Sequence, residues 1–103
     1  MHIQILIMQQ QPTIKLRDAI KKMRALTGIN VPFSFSYISY SEVLNKSEGY
    51  KRVNKGLLRA GYRANQSERS NILIAYIDYD KKEADRQFYL PLLMTFNNIQ
   101  VIP

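Results

Sequence analysis

From residue 33 the chain reads Phe-Ser-Phe-Ser-Tyr, three rings alternating with two small hydroxyl residues. Side chains in a strand point to opposite faces in turn, so Phe33, Phe35 and Tyr37 share one face and Ser34 and Ser36 the other. A helix would scatter the three rings around its axis. The run therefore demands a half-buried strand whose aromatic face rests on a core. Other apolar stretches are equally short. Residues 2–9 (HIQILIMQ) place Ile3, Ile5 and Ile7 on one face and read as a strand. Residues 72–79 (ILIAYIDY) are apolar on both faces as far as Asp78, which predicts a strand flanked on both sides. Residues 88–96 form a further strand, where Pro91 requires an edge position or a bulge. Asn97-Asn98 suits a two-residue hairpin turn, because asparagine tolerates positive φ, and 99–102 completes that hairpin.

One segment has helical spacing. Leu16, Ala19, Ile20, Met23 and Leu26 recur at offsets 0, 3, 4, 7 and 10, with Thr13 as expected N-cap and Gly28 as expected left-handed terminator. Arg17, Lys21 and Arg24 line one flank of this helix, Lys15 and Lys22 the other, and Asp18 can pair with Lys22 one turn on. Residues 50–63 fit either period. Tyr50, Val53, Leu57 and Ala60 would suit a helix, but Gly56 and Gly61 would each cost its interior about 1 kcal/mol. The polar connection at 42–49 favours a hairpin back onto the Phe33 strand, so a strand is predicted. Residues 65–71 read as a polar link and 80–85 as a charged turn. With 103 residues, the expectation is a single α+β domain over 1–103. It would be a mainly antiparallel sheet of about five or six strands with one amphipathic helix packed on it.

The charge is uneven. Twelve of the fifteen lysines and arginines lie between Lys15 and Arg69, with only four acids, and the net charge of the chain is +7. Clustered positive charge in a small domain points to an acidic partner. Lys51, Lys55, Arg59 and Arg63 recur every four residues, which aligns them on one face of either a strand or a helix. Arg52 falls on the other face, near Tyr50 and Tyr62. Cations interleaved with aromatics suit phosphate neutralisation and base stacking. The plainer alternative is a solvated strand face whose lysines block edge-to-edge pairing. Arg17, Lys21 and Arg24 would extend the row if the helix packs beside it. Tyr40, Tyr50 and Tyr62, surrounded by polar residues, are the tyrosines expected at the surface.

Other chemistry finds little foothold. Asp78, Asp80, Glu83 and Asp85 depart from a calcium loop, with Lys82 in a ligand slot and Glu83 where glycine belongs, so a charged turn is the better reading. His2 is the sole histidine, and there is no cysteine, which argues against nucleophile–histidine catalysis. No glycine-rich phosphate loop occurs. No cofactor, metal, small-molecule ligand or membrane partner is expected, and no enzymatic activity. The opening run lacks the basic start and cleavage site of a signal peptide, so the expected location is cytoplasmic, or a virion if phage-encoded.

Three blocks carry a resemblance: Ala-Leu-Thr-Gly at 25–28 ending the basic helix, PFSFSY at 32–37, and RQFYLPLLMTFN at 86–97. In this order they look like small uncharacterised proteins encoded by tailed bacteriophages and prophages of gut anaerobes. The resemblance implies a phage or mobile-element origin and a virion or assembly component, and it supplies no functional residues. The function expected is a non-enzymatic interaction module, a phage-type structural or assembly accessory. Its basic face (Lys51, Lys55, Arg59, Arg63) would meet an acidic protein neighbour or packaged nucleic acid, and its exposed edges could be completed by a neighbouring copy in self-assembly. The alternative is a free nucleic-acid-binding protein.

Overall fold

The structure, a computed structural model, describes residues 11–41, 46–59 and 73–103; side chains at 41, 46–48 and 83–85 fall outside the description. The elements run β1 (Thr13–Lys15), α1 (Leu16–Gly28), β2 (Phe33–Ser41), β3 (Lys46–Leu58), β4 (Leu73–Asp78), β5 (Glu83–Tyr89), a 3-10 turn (Leu90–Leu92), β6 (Leu93–Phe96) and β7 (Ile99–Ile102). The strands form one sheet in the order β1-β7-β6-β2-β3-β4-β5. Every pairing is antiparallel except β1 with β7. Among the described residues this is an α+β fold with one α-helix and a mixed sheet of seven strands, rather than five or six.

The higher strand count has local causes. Pro91 cannot donate to a ladder, and the chain there makes one 3-10 turn that splits the predicted 88–96 strand into β5 and β6. β5 begins at Glu83, inside the stretch read as a charged turn; the turn itself occupies 79–82. β3 likewise starts at Lys46, within the expected connection. The predicted strand at 2–9, the link at 65–71, and Tyr62 and Arg63 lie outside the described residues.

Both helix ends differ from expectation. Thr13 is no N-cap: it pairs with Gln100 in β1, and the capping position falls to Lys15, whose side chain makes no capping bond. The chain passes from strand to helix with no linker. At the other end Gly28 stays helical, and Asn30 takes the left-handed conformation at φ 60°. The amides of Ile29, Asn30 and Val31 close the last turn on the carbonyls of Ala25, Leu26 and Thr27. Thr27 ties helix to sheet. Its hydroxyl donates to the Met23 carbonyl at 2.8 Å and accepts the Leu58 amide of β3 at 3.1 Å.

The core lies on one face of the sheet. Ala19, Ile20 and Met23 of α1 are buried with Phe33, Phe35, Tyr37, Val53, Tyr76, Phe88, Leu93 and Phe96. The sheet rolls around these rings. Strands β2 and β5 are three places apart, about 14 Å if the sheet were flat. Yet the Phe88 ring lies 5.2 Å from that of Phe35 and 5.3 Å from that of Tyr37, centroid to centroid. Bulges supply the extra twist. On β3 the register moves from Phe35↔Val53 to Phe33↔Gly56, three residues facing two. Gly56 is required there, since a Cβ would sit 2.8 Å from Phe35 Cε1 and 3.0 Å from Val53 Cγ1. On β6 the register moves from Ser36↔Thr95 to Tyr37↔Leu93, which leaves Met94 as the extra residue.

Candidate functional site

The helix covers the concave, aromatic face, so the chemistry open to a partner depends on what the convex face carries. Alternation assigns it: Phe35, Tyr37, Val53 and Phe96 point inward, so Ser36, Ile38, Tyr50, Arg52 and Thr95 point outward. The registers link across five strands. Thr13 is opposite Gln100, Gln100 opposite Thr95, Thr95 opposite Ser36, and Ser36 opposite Arg52. The outcome is a transverse row of hydroxyl, amide and guanidinium groups, interrupted at the surface by Ser36, which is fully buried.

Two turn asparagines fix one end of this row. Asn97 and Asn98 have φ of 48° and 65°, the mirror-image turn expected of a tight hairpin. Asn97 Oδ1 accepts the Ser34 amide at 3.0 Å and its own amide donates to the Ser34 carbonyl at 2.9 Å, so the turn is tied to β2. Asn98 Oδ1 reaches beyond β2 to accept Arg52 Nη2 at 2.9 Å, while Asn54 Oδ1 accepts Arg52 Nε at 3.0 Å. Both acceptors are neutral. Among the described side chains no carboxylate shares this face: Asp18 is on the helix, Asp78 is buried, and Asp80 is in the β4–β5 turn.

Tyr50 stands beside Arg52, 58% exposed. The Ser36 hydroxyl is the main influence holding its pKa below that of an ordinary phenol; desolvation opposes it, and the nearby Arg52 guanidinium adds a smaller lowering effect. Ser36 Oγ also contacts Thr95 Oγ1 at 2.5 Å. Ile38, opposite Tyr50, and the exposed Met94 add an apolar margin.

The cation row read from the sequence does not form as one stripe. Lys51 is opposite Tyr37 on the concave side and half-buried. Between Val53 and Gly56 the bulge turns Asn54 and Lys55 outward together, so Lys55 joins the face of Arg52 and leaves that of Lys51. β3 ends at Leu58, and Arg59 follows with its amide on the Ala75 carbonyl. Arg17, Lys21 and Arg24 are exposed on the helix, across the sheet from Tyr50 and Arg52. The structure thus brings together Tyr50, Arg52 and Lys55 and separates them from Lys51 and the helical cations. A step of four keeps one face only in an unbroken strand, and the bulge has no sequence marker beyond Gly56. Asn54, Asn98, Ser36 and Thr95 were missed because their roles depend on pairing between distant segments.

Two further features bound the chemistry. The buried Asp78 accepts the amides of Asp80 and Lys81 at 3.1 and 3.2 Å and so caps the β4–β5 turn. A groove of about 470 Å³, lined by Lys15, Leu16, Arg17, Ile20, Leu90 and Pro103, opens at the start of the helix. Among the described residues no three carboxylate or imidazole groups could hold a metal ion together. No described helix is long and apolar enough to cross a membrane. Comparison with protein-family models, curated proteins and solved structures gives no match.

Proposed function

We propose that this protein is a non-enzymatic interaction module that holds an anionic macromolecular partner on the convex face of its sheet. The resemblance to tailed-phage proteins supports a role as an accessory of virion structure or assembly. One observation carries the reading: Arg52 is held in place by two neutral asparagines, with no described carboxylate to neutralise it. A guanidinium fixed at this cost in side-chain entropy, with its charge still available, is organised for an external anion. Lys55 adds a second charge on that face. The net charge of +7 draws acidic partners from a distance.

Retention on immobilised polyanions of different chemistry, with sedimentation velocity across a concentration series, tests this. The wild type should bind at low salt, and an Arg52→Glu, Lys55→Glu double variant should lose most of that binding while keeping its circular dichroism. Indifference to every polyanion, with a monomer at all concentrations, would overturn it.

A further inference from the structure

Resting on the interaction-face reading above, we infer that the partner is single-stranded nucleic acid, with a base stacked on Tyr50 and the adjoining phosphate held by Arg52. An acidic protein surface presents carboxylates in number and is best met by several cations. The convex face offers something else: one fixed guanidinium, one exposed lysine, one exposed ring and the neutral amides of Asn54, Asn98 and Gln100. That mixture suits a strand of nucleic acid, whose bases present π faces and polar edges and whose charge comes one phosphate at a time.

The geometry fits the chemistry of a single nucleotide step. Tyr50 and Arg52 are two residues apart on the same side of β3, roughly 6.6 Å along the strand. Asn54 and Asn98 engage two of the five guanidinium N–H groups, which leaves three to meet phosphate oxygens. Ile38, directly opposite Tyr50, gives the ring an apolar neighbour, and the exposed Met94 lies on β6 beyond it. Beyond them Thr95, Gln100 and Thr13 continue the row toward the far edge of the sheet, a track of donors and acceptors for the edges of successive bases. A duplex, with its bases stacked inside, cannot present a face to Tyr50.

Fluorescence anisotropy with a labelled mixed-sequence single-stranded DNA oligonucleotide, the corresponding duplex, and a polyglutamate peptide separates the outcomes. The single strand should bind in preference to the other two. Two phosphate contacts, at Arg52 and Lys55, predict a log–log salt slope of about −1.4, which Arg52→Ala should reduce in size by about 0.7. Tyr50→Ala should weaken binding about tenfold at unchanged slope, and Tyr50→Phe should retain it. Amide shifts on adding the oligonucleotide should fall on Tyr50, Arg52, Asn54, Thr95 and Asn98. Polyglutamate binding as tightly as the oligonucleotide, through the same residues, would overturn the nucleic-acid assignment and leave the interaction face standing. If neither binds, or if the shifts map to Arg17, Lys21 and Arg24 instead, both readings fall.

Discussion

Thr27 shows how much one hydroxyl can hold together here. It satisfies a helix carbonyl and a strand amide at once, and the Leu58 amide is only partly accessible to water. Thr27→Val keeps the shape and removes both bonds, so it should lower the unfolding free energy by about 1–3 kcal/mol in a urea titration, whereas Thr27→Ser should cost less. The paired phenols of Tyr37 and Tyr76, 2.5 Å apart in the core, make a second residue-scale case. Burial, then the bond to Tyr76, raises the Tyr37 pKa well above its ordinary value near 10. The unfolded chain therefore loses this proton first. The stabilisation is complete below about pH 10 and fades as the pH climbs from there toward the folded value. Denaturant midpoints from pH 8 to 11 should fall more steeply in the wild type than in Tyr37→Phe, which starts lower because it strands the Tyr76 hydroxyl. Equal slopes would remove Tyr37 from the explanation.

The bulged strand β3 is where residue chemistry becomes element geometry. Gly56 lets the chain pass against Phe35 and Val53, so Gly56→Ala should destabilise by about 1–3 kcal/mol in the same titration, with Phe35 driven from its place. That contact also explains which parts of the fold were legible. The alternation of Phe33, Phe35 and Tyr37 identified β2, and the apolar stripe from Leu16 to Leu26 identified α1, because each pattern is local and unbroken. The hairpin of β2 with β3 and the Asn97-Asn98 turn followed from local chemistry too. β1 was read instead as a cap, since a three-residue strand has no periodicity and Thr13 suits either role. Lys51 and Lys55 were placed together because a bulge is a property of two strands, and neither strand announces it alone. Tyr50 and Arg52 kept their shared face because no register shift intervenes between them.

At the scale of the whole molecule, the sheet divides labour between its faces. The concave side is spent on aromatic packing and the helix, and the convex side around Arg52 carries polar and cationic groups beside apolar ones such as Ile38. Charge alone did not predict this division: the helical cations and those of the convex face lie on opposite sides of the sheet. Replacing Arg17, Lys21 and Arg24 together by glutamine should therefore slow association with a polyanion through the loss of long-range attraction. It should leave the dissociation rate nearly unchanged, as stopped-flow measurement would show. Arg52→Ala should do the reverse.

The β6–β7 corner has an evolutionary implication. Of its two asparagines, Asn97 ties the turn to Ser34 and Asn98 accepts from a guanidinium two strands away, so on the proposed reading loop length there would bear on how firmly Arg52 is held. Descendants that gained one residue at this corner would keep the same interior, yet their arginine would swing loose, and recognition could be silenced without any change to the core.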